Sequence, residues 1–376
     1  MPLSSSCISI ELLPEFGWSI KDQAVYGPGS VFQGFVKLNM KALDVERVRL
    51  VFYATETIPP FDIAPGVMRT SRHTLFSIQQ VLWESKDQAL KVDTNSDCSL
   101  PFTIQMPMVQ FPPSISHSVY ECLFQLIAIV DTPASLQKKA MPIKTEIPVI
   151  CMPFIETSIL KTPLLLESQN GRLSARIKMA TKDFVPCDFV SIGLHVDSAN
   201  NGKKRSNTLQ YVTVQLKLIQ TMQIRVFDDI PDQTKTVASA AQKLLLISRL
   251  NGNSSYCDAD LSLKIPADVT PSYNYGRLVQ ISYKLQVSVE QKGPMGGIWN
   301  YMVSIDDIPM TIGTLGHGIR SSNELQMYSS CEQRNSDMLV PKFMKAIEYE
   351  DALPVYDPCR LPDYTTLTTA TAAINS

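Results

Sequence analysis

The chain has 376 residues, 44% of them apolar and 19% charged, and its 34 basic and 36 acidic side chains give a formal charge of −2. That composition excludes bulk disorder, and it leaves no charge bias for wholesale binding to a phosphate backbone or for attachment to anionic lipid by charge alone. At about 150 residues per domain, the length predicts two domains and a remainder.

Strand periodicity runs along the chain. Pro28 opens a strand with Phe32, Gly34, Val36 and Leu38 in phase. A long alternating run follows from Val119 to Val130. Beyond a junction placed near Pro148 to Ile159, Leu173, Ala175, Ile177 and Met179 alternate with Ser174, Arg176 and Lys178. Pro186 starts a strand carrying Val190, Ile192, Leu194 and Val196, in which His195 reads as solvent-facing. Asn200-Asn201-Gly202-Lys203-Lys204-Arg205-Ser206 reads as a solvated hairpin loop rather than a phosphoinositide contact, because Asn-Gly favours a tight turn. Val212, Val214, Leu216 and Leu218 form another half-buried strand, and Val237 to Leu246 fit one short helix. From Leu278 to Val289 every odd position is apolar and nearly every even one polar. Such period-two patterning buries one sheet face and wets the other, so the chain reads as β-sandwich.

The pattern is written twice. Phe102-Thr103-Ile104-Gln105-Met106-Pro107 returns as Leu261-Ser262-Leu263-Lys264-Ile265-Pro266, and Pro113-Ser114 returns as Pro271-Ser272. Pro28 corresponds to Pro186, and Ile147-Pro148 to Ile308-Pro309. The four proline offsets are 158, 159, 158 and 161 residues. Proline cannot donate to a ladder and marks strand starts, edges and turns, so a held offset means held strand starts. Two similar sandwiches in tandem follow.

Signatures of chemistry are missing from the sequence. Its eight cysteines come no closer than 24 residues, which gives no C-x-x-C or zinc spacing. Four histidines show no H-E-x-x-H, and there is no G-x-S-x-G, phosphate-binding loop or G-x-G-x-x-G. Met1 to Ser6 shows no signal-peptide pattern, and the longest apolar stretch, around Leu123 to Val130, is too short to span a bilayer. The expectation is a non-enzymatic, soluble protein of a reducing compartment, with no metal or cofactor.

The residues resemble a known family. Tyr26-Gly27-Pro28-Gly29-Ser30-Val31-Phe32-Gln33-Gly34 resembles the opening of the arrestin N-domain, where a Pro-Gly turn feeds a V-x-x-G strand. Leu100-Pro101-Phe102, Pro112-Pro113-Ser114 and the strand ending at Val130 resemble its later half. Ile308-Pro309-Met310-Thr311-Ile312-Gly313-Thr314 resembles the P-x-x-I-G-T ending of the arrestin C-domain. The resemblance spans most of residues 8 to 315. It implies an all-β fold of two tandem immunoglobulin-like, arrestin-type β-sandwiches, over 1–150 and 151–315, followed by a disordered tail over 316–376. Cys187 stands where the first repeat has Gly29. A positive φ would strain a cysteine there, so the second repeat is expected to use a different turn.

After Thr314 the alternation stops and Ser, Asn, Asp, Glu and Thr dominate, too little apolar surface to offset the entropy of ordering. Within this tail, Leu353-Pro354-Val355-Tyr356 and Leu361-Pro362-Asp363-Tyr364 fit the [PL]-P-x-Y pattern bound by WW domains. Proline pre-sets the polyproline II conformation, aromatic grooves accept it, and a second pocket takes the Tyr ring. Leu in place of the first Pro keeps an apolar contact but loses preorganisation, so binding should be weaker than for P-P-x-Y. Four residues separate Tyr356 from Leu361. They span at most roughly 17 Å at ~3.4 Å per residue, so the copies should compete for one WW domain. Such doubling adds only RT ln 2, about 0.4 kcal/mol. Lys342 and Lys345 lie close to the motifs and are candidate ubiquitin acceptors. Asn253-Ser254-Ser255 is a sequon without consequence in the cytosol.

With this tail, the resemblance implies an α-arrestin. Such an adaptor links the cytosolic parts of membrane transporters or receptors to the WW domains of a HECT-type ubiquitin ligase. It would be cytoplasmic and recruited to plasma membrane and endosomes, with no nucleic-acid partner and no transmembrane segment. The rival is an arrestin-fold trafficking or signalling scaffold that recruits no ligase. A phosphate-switched receptor arrestin ranks third and an enzyme last.

Overall fold

A computed structural model describes residues 7–13, 19–38, 45–64, 67–85, 98–132, 142–199, 209–227, 230–249, 254–292, 300–328 and 340–345. The first sandwich contains β1 (Ile8–Leu12), β2 (Ser19–Ile20), β3 (Gln23–Tyr26), β4 (Val31–Leu38), β5 (Arg47–Ala64), β6 (Val67–Glu84), β7 (Cys98–Gln105), β8 (Val109–Gln110), β9 (Ile115–His117), β10 (Tyr120–Asp131) and β11 (Ile143–Cys151). The second contains β12 (Leu164–Asn170), β13 (Leu173–Met179), β14 (Asp183–Phe184), β15 (Phe189–Ala199), β16 (Tyr211–Ile224), β17 (Gln233–Leu245), β18 (Ile247–Ser248), β19 (Ser254–Lys264), β20 (Val279–Lys292) and β21 (Asn300–Ile312). Two short strands follow, β22 (Gln326–Met327) and β23 (Lys342–Met344).

The first sandwich packs a β1-β4-β7-β23 sheet against a β2-β3-β11-β10-β5-β6 sheet, with β9 paired to β10. The second packs β12-β13-β15-β19-β18 against β14-β21-β20-β16-β17. Alternation is realised in the strands that predict it: β10 runs buried and half-buried by turns from Tyr120 to Asp131, and β20 buries Val279, Ile281, Tyr283, Leu285, Val287 and Val289. The first core is aromatic. Tyr26 and Phe32 have ring centroids 4.5 Å apart, Phe32 meets Phe52 edge-on at 5.6 Å, and Phe52 reaches Phe76 at 5.0 Å. Phe76 then meets Phe111 at 5.4 Å. Each such pair adds about 0.5–1.5 kcal/mol beyond its area burial. The second core is mainly aliphatic, with Val190, Ile192, Leu194 and Val196 of β15 facing across to Val212, Val214, Leu216 and Leu218 of β16.

The duplication is structural. Cys151 pairs in parallel with Tyr26, and Ile312 pairs in parallel with Phe184. Ser114 N–H donates to Cys151 O at 2.8 Å, and Cys151 N–H donates back to Ser114 Oγ at 2.9 Å. Ser272 repeats both bonds with Ile312, at 2.8 Å and 2.9 Å. The duplicated Pro-Ser pair therefore builds the same corner twice, by satisfying one residue at the end of each last strand.

Four expectations need correction. The turn at Cys187 is the same turn, not a different one: Cys187 has φ 73° and Gly29 has φ 74°. Ser30 N–H donates to Gly27 O at 3.2 Å and Asp188 N–H to Val185 O at 3.1 Å. Proline second and a positive φ third is the type II arrangement. Cysteine is accepted because Cys187 is exposed, whereas a Cβ on Gly29 would run into Met108 Sδ. Val237 to Leu246 is not a helix but most of β17, whose Ala238, Ala240, Gln242 and Leu244 stand opposite Leu218, Leu216, Val214 and Val212. At a sheet edge small residues suffice for the inner face, and the alternation is thereby blurred.

The strands that flank Asn200 to Ser206, β15 and β16, belong to different sheets and are not the paired arms of a hairpin; the segment itself lies outside the described residues. Not all of 316–376 follows the tail composition either. Gln326–Met327 pairs in parallel with β8, and Lys342–Met344 pairs antiparallel with β7. Pro148 falls inside β11, so the connection between the sandwiches runs over 152–163. By internal contacts, Met1–Met344 forms one compact unit and Lys345–Ser376 a second.

Candidate functional site

Leu353, Pro354, Tyr356, Leu361, Pro362 and Tyr364 lie outside the described residues. The two lysines do not. Lys342 is exposed on β23, in register with Gln105, and Lys345 is exposed just after it. Pro341 is buried and Phe343 packs partly against the core, opposite Ile104. This strand fixes where the chain leaves the first sandwich.

The polar residues that sequence reasoning missed gather at the seam between the sandwiches. Gln110, 1% exposed, treats Phe154 as a strand partner: its Nε2 donates to Phe154 O at 2.5 Å, and Phe154 N–H donates to its Oε1 at 2.7 Å. On the other side, Ile155 N–H donates to Thr314 Oγ1 at 2.8 Å, and Thr314 Oγ1 donates to Pro153 O at 2.7 Å. Thr314 and Leu315 N–H both donate to Ile155 O, at 3.0 Å and 3.1 Å. Arg320 then donates to Glu156 at 2.9 Å and to Thr157 O at 2.8 Å. Hydrogen bonds from Ser321, more than the Arg320 charge, hold the Glu156 carboxyl below its usual range.

The return segment continues to the first sandwich, where Gln326 N–H donates to Met108 O at 2.9 Å and Tyr328 meets Phe111 at 5.6 Å between centroids. The linker and the return segment are thus stitched side by side. A buried backbone group left without its partner costs about 1–3 kcal/mol, so the seam is held by satisfaction of polar atoms as much as by area.

The first sandwich also holds a buried acid on β5. Glu56 is 1% exposed, and Tyr120 Oη donates to its Oε1 at 2.8 Å. Burial pushes its carboxyl up to about 7, against the opposing pull of the Tyr120 bond and the Arg277 charge. Tyr120 and Cys122 of β10 are themselves raised well above their ordinary values, chiefly by burial. Tyr273 of the second sandwich is likewise raised, chiefly by burial and then by the charges of Glu56 and Cys122.

Elsewhere, His195 points outward as expected but is held between two carboxylates, Nδ1 to Asp258 at 2.6 Å and Nε2 to Asp197 at 2.9 Å. The Asp258 bond first, then Asp197, raises its pKa. An open groove of ≈ 570 Å³ on the first sandwich is lined by Val51, Tyr53, Ile127 and Ile129 with Arg72 and Lys144. Among the described residues no group of three or more His, Cys, Asp or Glu is placed to hold a metal, and no helix is long and apolar enough to cross a membrane.

Residues 169–317 match the family model of the arrestin (or S-antigen) C-terminal domain. The match begins near the end of β12 and ends just past β21, so it takes in nearly all of the second sandwich. No curated protein matches the chain. The first sandwich repeats the turn, the serine corner and the parallel pairing of the arrestin-matched half, which fits an arrestin-type pair. The match supports kinship of the second sandwich with the arrestin C-terminal domain.

Proposed function

We propose that the chain is an adaptor of the α-arrestin type, which brings a WW-domain HECT ubiquitin ligase to membrane-protein cargo and so promotes cargo ubiquitylation, endocytosis and sorting. The observation that carries this reading is the pairing of an arrestin-matched sandwich with two L-P-x-Y motifs after the last strand. The double sandwich would hold the cytosolic part of a transporter or receptor. Leu353-Pro354-Val355-Tyr356 and Leu361-Pro362-Asp363-Tyr364 would hold the ligase. The chain does no chemistry itself; it raises the local concentration of ligase at the cargo.

Eight residues lie between Met344 and Leu353, a contour of at most roughly 30 Å at ~3.4 Å per residue. Lys342 and Lys345, on and just after the last strand, are the proposed acceptors for a ligase held by these motifs. The protein would be cytoplasmic, recruited to plasma membrane and endosomes by its cargo.

Co-precipitation of the full chain with a HECT ligase tests the reading. Tyr356→Ala and Tyr364→Ala should each retain the ligase, and the double variant should lose it. Ligase capture unaffected by the double variant, or absent from the wild type, leaves an arrestin-fold scaffold that recruits no ligase.

A further inference from the structure

The duplication that builds the two sandwiches is uneven at one edge. β7 and β19 hold equivalent places, since Phe102-Thr103-Ile104-Gln105 of the first returns as Leu261-Ser262-Leu263-Lys264 of the second. β4 lines one side of β7, and β15 lines the equivalent side of β19. On the other side of β7, Lys342–Met344 pairs antiparallel with Gln105, Ile104 and Thr103. On the other side of β19, β18 reaches only Tyr256 and Ser255. Among the described residues no strand pairs with Cys257–Lys264 on that side. Alternate residues there turn their N–H and C=O groups away from β15, as on any edge strand.

A cleft adjoins the bare edge. β18 stays with β19, but β17 just before it belongs to the other sheet. Where the two part, a cleft of ≈ 130 Å³ opens, lined by Val214, Leu216, Ala240, Gln242, Asp260 and Leu261. Ala240 leaves room where a larger side chain would fill it. Leu261 and Leu263 are buried, whereas Asp260, Ser262 and Lys264 are exposed on the outer face. The filled edge of β7 shows what this one lacks: Phe343 packs partly against the core opposite Ile104, the equivalent of Leu263.

We infer that the Leu261–Lys264 edge of β19 is a docking site for an extended peptide segment of a partner protein, added antiparallel as a further strand. In such an addition main-chain bonds give affinity and alternate side chains give specificity. The register of β23, carried over to β19, fixes what the segment presents. A large apolar side chain stands opposite Leu263, and a second stands opposite Leu261, over the cleft. A carboxylate just before the first faces Lys264, and a cation three residues after it faces Asp260. Opposite charges facing each other across a ladder attract and like charges repel. A second copy's Lys342–Met344 is therefore a poor occupant, because Lys342 would face Lys264 where it now faces Gln105. Within the adaptor reading the segment belongs to the cargo, but the site rests on β19 and stands whether or not the tail binds a ligase.

Fluorescence anisotropy of a labelled T-E-F-T-V-K-T peptide with the full chain tests the site. The peptide should bind, and Asp260→Lys, a change at an exposed position, should weaken it about fivefold. T-E-F-T-V-E-T should bind the wild type more weakly and recover on Asp260→Lys, an exchange that a structural role for Asp260 would not produce. Amide hydrogen exchange in 257–264 should slow when T-E-F-T-V-K-T is present. Absence of binding, or binding indifferent to Asp260→Lys, overturns the inference. So does slowing confined to 98–105, because the peptide would then be displacing β23 from β7.

Discussion

Cys187 and Gly29 occupy one backbone conformation in two settings, and the difference predicts opposite responses. A side chain in the left-handed region costs about 1–2 kcal/mol, which glycine avoids. Cys187→Gly should therefore raise stability by about 1 kcal/mol, read as a higher unfolding midpoint in denaturant. Gly29→Ala should lower stability by more than that, because strain is joined by the collision with Met108. At Glu56 the consequence appears in pH dependence. Its folded-state pKa lies above the ordinary 4.5, so its contribution to stability is present in full below pH 4.5 and is lost as pH rises through about 7. Glu56→Gln should resemble the wild type at pH 5 and exceed it at pH 8, by up to on the order of 3 kcal/mol, in thermal or denaturant unfolding. A wild-type stability that does not fall between pH 5 and pH 8 relative to this variant would contradict that assignment. His195 carries the same sign. Its raised pKa means that the Asp258 and Asp197 bonds add stability below the ordinary imidazole range and lose it at alkaline pH.

At the scale of elements, the strands divide by what holds them. β13, β16 and β20 are held by an apolar face, and each was legible because its inner and outer residues differ in kind. β17 was not: it lies at an edge, its inner face needs only Ala238 and Ala240, and no sharp period survives. β22 and β23 were illegible for another reason. Two or three residue pairs bind each by backbone groups, which sequence composition does not reveal. The seam was invisible for the same cause, since Gln110 meets Phe154 and Thr314 meets Ile155 across 44 and 159 residues. What sequence did carry was punctuation: Pro113-Ser114 and Pro271-Ser272 are the corners that close each sandwich. Gln110→Ala should strand both polar groups of Phe154 and cost about 2–4 kcal/mol, with faster exchange at 153–157 as its local signature. Phe343→Ser should free β23, exposing the 340–345 stretch to proteolysis while leaving the midpoint of global unfolding nearly unchanged.

At the scale of the molecule, two similar sandwiches are joined twice, by the linker and by the return segment lying beside it. The aromatic run from Tyr26 through Phe76 and Phe111 ends on Tyr328, so the return segment is part of the first core as well as a tether. In the proposed function the two sandwiches hold the cargo and the L-P-x-Y pair holds the ligase. The reading as a ligase adaptor stands or falls on that pair. Calorimetric titration of the full chain with an isolated WW domain of a HECT ligase tests it most directly. The account predicts micromolar binding of one domain per chain, retained in Tyr356→Ala and Tyr364→Ala singly and lost when both are changed. Heat no greater than that of the double variant would contradict it, and two domains bound per chain would contradict the competition between the copies.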